Sequence, residues 1–158
     1  MENRIFLIDD LRISLGWLNH HLELAGIREI ELFECPLKAL ERMRIAPPSI
    51  IITDYQMPGM NGVELLQKAE FHFGKIPSLI ATSDPDAAAS TPHDYPILKK
   101  GVPEFFSQCL NFIRNIQSDF LQQAVRLLNC NRAIRLNIHN LAPVPVYRNS
   151  VTCTIFKN

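Results

Sequence analysis

The chain has 158 residues, enough for one ordinary domain with its own hydrophobic core plus an extension and too few for two full domains. Its sixteen Lys and Arg balance sixteen Asp and Glu, which excludes the strongly basic make-up of a general nucleic-acid binder. The charge is nonetheless polarised: residues 1 to 100 carry ten basic against fourteen acidic side chains, and residues 131 to 158 carry Arg132, Arg135, Arg148 and Lys157 with no acid.

The first apolar run, Ile5-Phe6-Leu7-Ile8, reads as a short, fully buried strand, and Asp9 and Asp10 close it. Ile13, Leu15, Trp17, Leu18, Leu22 and Leu24 then recur at helical spacing until Gly26, a plausible stop. Ile27 to Phe33 contains a short strand around Ile30 and Leu32. Pro36 opens a second helix that Pro47-Pro48 ends, and Ile50-Ile51-Ile52-Thr53 forms a third strand closed by Asp54. Val63 begins a third helix, and Pro77 introduces a strand over Ser78 to Thr82. This alternation is the pattern of a doubly wound α/β fold with a parallel sheet of five strands.

Then the pattern thins. Sixteen residues separate Thr82 from Lys99, and they include Pro85, Pro92 and Pro96, so the fourth helix is expected to be shortened or absent. Ile97-Leu98 gives the last strand. From Glu104 a helical stripe of Phe105, Cys109, Phe112, Ile113, Ile116, Phe120, Ala124, Leu127 and Leu128 predicts a helix to about Asn129, roughly 40 Å long. Beyond it, Ile134, Leu136 and Ile138 alternate with polar residues and Val151 to Phe156 is a second β-prone run, which together suggest a hairpin. The domain is expected over residues 1 to 115, with an extension over 116 to 158.

Asp9, Asp10 and Asp54 are thereby expected in one crevice at the carboxyl ends of parallel strands, where open α/β sheets hold their ligands. Three acids together call for a cation, and hard oxygen donors in that number suit Mg²⁺ beside a phosphoryl group. Asp54 is followed by Tyr-Gln-Met-Pro-Gly-Met-Asn-Gly, and Thr82 and Lys99-Lys100 end later strands. Over about residues 1 to 115 the chain resembles a bacterial two-component response-regulator receiver domain of the CheY-like, flavodoxin-like kind. The resemblance rests on the Asp-Asp pair, the acceptor Asp, the Met-Pro-Gly-Met-Asn-Gly loop, the Thr and the Lys in the family's order.

The resemblance implies that Asp54 takes a phosphoryl group from a histidine kinase or phosphotransfer protein. It implies that Asp9, Asp10, Asp54 and the backbone carbonyl of Gln56 hold Mg²⁺, and that Thr82 and a lysine touch the transferred group. Lys99 is expected to be that lysine, as it directly follows the apolar strand, although Lys100 stands beside it and neither precedes the family's proline. The family's switch aromatic should lie three residues before the lysine. Pro96 stands there, with Tyr95 one place further back. Gln56 and Asp84 fall at positions that in the family tune how long the phosphoryl group lasts.

The implied protein is a phosphoacceptor rather than an enzyme acting on an external substrate, and it signals by contact with a downstream protein. A pseudo-receiver working as a phosphorylation-independent interaction module is the alternative. The long helix is expected to make a homodimer. Cys35, Cys109, Cys130 and Cys153 show no Cys-x-x-Cys pair and read as packing thiols, and His20-His21 reads as a solvated pair. With no signal-type or membrane-spanning segment, a cytoplasmic protein is expected, and nucleic acid is not an expected partner.

Overall fold

A computed structural model of the chain describes the backbone of residues 4–139 and the side chains of residues 4–129. Five parallel strands form one sheet in the order β2-β1-β3-β4-β5: β1 Ile5–Ile8, β2 Ile30–Phe33, β3 Ile50–Thr53, β4 Ser78–Thr82 and β5 Ile97–Lys99. The helices are α1 Arg12–Leu24, α2 Pro36–Ile45, α3 Gly62–Phe73, α4 Pro85–Ala89 and α5 Phe105–His139. All residues of β1, β3 and β4 are buried, as continuous apolar strands covered on both faces must be.

Side chains alternate along each strand, so the sheet has two separate cores. Phe6, Ile8, Ile51 and Ile80 face one core with α2, α3 and α4 residues such as Met43, Leu66 and Ala88. Ile5, Leu7, Ile50, Ile52, Leu79 and Ala81 face the other, where Leu15, Leu18 and Leu22 of α1 meet Phe105, Cys109 and Ile113 of α5. Burial pushes the Cys109 thiol up to about 12, so it packs as an apolar group. His21 is not solvated as expected. Its ring stacks on Phe106, with centroids 3.8 Å apart and planes 6° from parallel, and so ties α1 to the start of α5.

The fourth helix is short, five residues, as the three prolines require. Asp84 caps it by accepting from the Ala87 amide at 3.1 Å. The long helix departs from expectation. It runs 35 residues to His139, so the segment 134–138, expected as a strand, is helical. The reason is visible in the sequence: residues 105 to 139 contain neither Gly nor Pro, and five alternating residues also sit at helical spacing from Leu127 through Ile134 to Ile138. The second run of the expected hairpin, 151–156, lies outside the described residues. The chain divides into two units at Phe120, inside α5 and five residues beyond the expected end of the domain.

Candidate functional site

Between β1 and β3 the order in which strands are added reverses, with β2 on the far side of β1, and the crevice at such a point opens beyond the strands' carboxyl ends. Asp9 follows β1 and Asp54 follows β3, in strands paired Ile8 to Thr53. The Asp54 amide donates to the Ile8 carbonyl at 2.7 Å, which extends the pairing by one residue and fixes the two acids side by side. Carboxylate oxygens of Asp9, Asp10 and Asp54 all lie within 4.8 Å of one another. Asp9 and Asp54 are buried and Asp10 is half-buried. Asp10 and Asp54 border a crevice of about 470 Å³, whose walls also include Ser14, Gln56, Ser83 and Lys100.

Asp9 also shapes the backbone: its Oδ1 accepts from the Leu11 amide at 2.9 Å and sets the turn into α1, which has no other side-chain cap. Beyond Asp54 the chain turns through Gly59 and enters α3, capped by Asn61, whose side chain accepts from the Glu64 amide at 2.9 Å. Gly62 sits against the backbone of Asp54. A Cβ there would collide with the Asp54 carbonyl oxygen, so the glycine is required by space rather than by dihedral angle. We expect Gly62→Ala to cost about 1–3 kcal/mol, read as a fall in melting temperature, with wild-type stability refuting the close approach.

The lysine expected at the acids is Lys99, but Lys100 reaches them. Its ammonium donates to Asp9 Oδ2 at 2.5 Å and to Asp54 Oδ1 at 2.8 Å, while Lys99 is exposed. Strand parity explains the correction. Ile97 faces the α3 and α4 core with Tyr95, and Leu98 faces the α1 and α5 core. Two residues on from each, Lys99 falls on the first face, and Lys100 shares the second with Asp9 and Asp54, which continue the parity of Leu7 and Ile52. Gly101 follows at φ 79°, a left-handed conformation that turns the chain away just past the ammonium.

With Lys100 at the acids, the position three residues before the lysine is Ile97. Tyr95 is turned to a different partner, donating to Glu70 Oε2 at 2.9 Å. Thr82 is buried, and its Oγ1 accepts from the Asp84 amide at 3.2 Å, at the entrance of α4.

Burial raises the Asp54 carboxyl above the usual carboxylate range, and the nearby Asp9 charge adds to this, while the hydrogen bond and charge of Lys100 and the Tyr55 amide pull it back. The arrangement is a buried carboxylate held beside an ammonium, with two further carboxylates completing a set of hard oxygen donors at a spacing one divalent cation spans.

A family model for the response regulator receiver domain matches residues 5–95, more than half of the chain. The chain belongs to this receiver family. Among relatives, an Arabidopsis thaliana protein named as a two-component response regulator, ARR13, is 32% identical over 131 residues, covering 75% of this chain and 23% of that protein. The DNA-binding transcriptional regulator NtrC of Escherichia coli K12 is 34% identical over 93 residues, 57% of this chain and 20% of its own. The receiver thus spans under a quarter of the length of these two relatives. Among solved structures, a two component transcriptional regulator from Clostridium phytofermentans shares the fold at TM-score 0.67 and 17% identity, covering 79% of this chain and 99% of that one. A receiver domain protein from Clostridium thermocellum matches at TM-score 0.62 and 21% identity, over 76% and 99% of the two chains. Among the described residues, no helix is long and apolar enough to cross a membrane.

Proposed function

We propose that this receiver is a phosphoacceptor of a two-component relay, taking a phosphoryl group on Asp54 from a histidine kinase or phosphotransfer protein and signalling by contact with another protein. The observation that carries the reading is the convergence of Lys100 and the carboxylates of Asp9 and Asp10 on the buried Asp54. An Asp54 oxygen attacks phosphorus and the bond to the donor's leaving group breaks, giving an acyl phosphate. Phosphoryl transfer asks the protein mainly for position and for charge placed where charge gathers, and Lys100 supplies that charge from one side.

Asp9, Asp10 and Asp54, with the backbone carbonyl of Gln56, a residue of the crevice wall, would hold Mg²⁺, which would supply charge neutralisation for the transferring group. Thr82 is proposed to receive a phosphoryl oxygen. Its hydroxyl oxygen accepts from the Asp84 amide, which leaves its proton to donate to the phosphoryl oxygen. Incubation with acetyl phosphate, with and without Mg²⁺, tests the reading by intact mass: one phosphoryl increment should appear in the presence of Mg²⁺ only.

The alternative, a phosphorylation-independent interaction module, draws support from Lys100, whose ammonium already bridges Asp9 and Asp54, and from Ile97 in the switch position. No mass increment at saturating donor, in protein shown to be folded, would select it.

We also propose that the outer part of α5 pairs with a second copy. Cys109 and Ile113, earlier on the same stripe, are buried in the core and take no part. Phe120, Leu121, Val125, Leu127 and Leu128 are exposed, and 121, 125 and 128 follow coiled-coil spacing. Sedimentation at micromolar concentration should give a dimer, and Phe120→Asp with Leu127→Asp a monomer; a wild-type monomer across that range would remove the contact.

A further inference from the structure

The segment that replaces most of a fourth helix is held by side chains, and one of them comes from the residue beside Asp54. The Tyr55 hydroxyl and Thr91 Oγ1 share a hydrogen bond of 3.0 Å across 36 residues of chain. Thr91 lies just past α4, and its amide donates to the Ala88 carbonyl at 3.3 Å. The His93 ring closes the same turn: its Nδ1 accepts from the Tyr95 amide at 3.1 Å, which leaves the proton on Nε2 to donate to the Ala88 carbonyl at 3.2 Å. Ala88 itself is fully buried, so the exit of α4 is fixed at one packed point. Among the described residues, Tyr55 to Thr91 is the long-range hydrogen bond made by residues 88–93, while Asp94 and Tyr95 just beyond them are tied to Lys75 and Glu70.

The near end of the link is rigid. The Tyr55 carbonyl accepts from the Gly62 amide at 2.9 Å, Gly62 is pressed against the Asp54 backbone, and the Tyr55 ring packs on the core under α3 and α4. Tyr55 is the residue joined directly to Asp54, so the two share one peptide unit. A change in what the Asp54 carboxylate binds therefore shifts the shared peptide unit, and a ring packed on the core carries the shift to its hydroxyl. We propose that Tyr55, through Thr91, is the positioning residue by which the state of the Asp54 carboxylate reaches the exit of α4. The link rests on the phosphoacceptor reading for its purpose, though not for its existence.

α4 is then held from both ends by residues of the site. Thr82 accepts from the Asp84 amide at its entrance, and Tyr55 grips Thr91 at its exit. A surface element of five residues has too few internal hydrogen bonds to hold its own position, so these outside ties decide it.

Amide exchange over residues 85–95 tests the link in a mutant cycle on the full chain: wild type, Asp54→Asn, Tyr55→Phe and the double variant. Tyr55→Phe keeps the ring and its packing and removes only the hydroxyl, and Thr91→Val should reproduce it from the other side. Asp54→Asn should change exchange at the amides of residues 88–93 by about threefold or more, within the reach of one net hydrogen bond. That change should shrink by more than half when Tyr55→Phe or Thr91→Val is also present. An equal change in all backgrounds, or none in the presence of Tyr55, overturns the proposal. No phosphoryl donor enters the cycle, so a failure of Asp54 to take a phosphoryl group would show in the mass experiment and leave this result readable.

Discussion

Asp54→Asn should abolish phosphoryl labelling while leaving the fold at least as stable as the wild type at neutral pH. The amide keeps the shape of the carboxyl but offers no nucleophilic oxygen anion. The stability half follows from the direction of the carboxyl's shift. Burial raises its pKa in the folded chain above the unfolded value, so the folded state binds the proton more tightly, and stability from this group rises as pH falls from neutral toward the carboxylate range. An uncharged residue removes that cost at neutral pH, offset in part because Lys100 loses one of its two partners. Intact mass after acetyl phosphate reads the first half and urea unfolding at neutral pH reads the second. Residual labelling of the variant would move the acceptor elsewhere.

Lys100→Met should slow labelling by about 100-fold, the scale for removing one preorganised charge donor from a reacting group, while Lys99→Met should stay within about twofold. The two substitutions change net charge equally, so their difference isolates position. Lys100 also holds two buried carboxylates, and its loss leaves both without their ammonium. We expect the metal-free variant to lose about 2 kcal/mol, below the range for a fully buried pair because the lysine is partly exposed. Added Mg²⁺ should return most of it. Equal labelling rates for the two variants would remove Lys100 from the chemistry.

Much of this arrangement is legible in the sequence. The bounds of β1, β3 and β4 follow from apolar runs ending in Asp9, Asp54 and Thr82, and the three acids are expected together because parallel strands deliver their carboxyl ends to one edge. Elsewhere two signals compete, and the weaker one misleads. Position at the end of the strand favours Lys99, whereas side-chain parity counted from Leu98 selects Lys100. An alternation five residues long suggests an early end to α5, although 35 residues without Gly or Pro offer no stop. The bond between Tyr55 and Thr91 is not legible at all, since nothing local to either residue encodes a pairing across 36 positions.

The parity that assigns Lys100 has a further consequence for β5. This strand lies at the edge of the sheet and reads Ile-Leu-Lys, with Lys100 next, so its two faces carry the same chemistry. Sliding it by one residue would put Ile97 in the place of Leu98, Lys99 in the place of Lys100 and Pro96 in the place of Ile97, leaving an apolar residue under each core and an ammonium beside the acids. In most strands such a slip turns the core outward and is forbidden by its cost. Here the alignment must come from the main chain, through the Ile80 amide donating to the Pro96 carbonyl and the Lys100 amide donating to the Thr82 carbonyl. Pro96, with no amide to offer, and Gly101, in a conformation that disfavours other residues, are the two stops between which this otherwise ambidextrous strand is held.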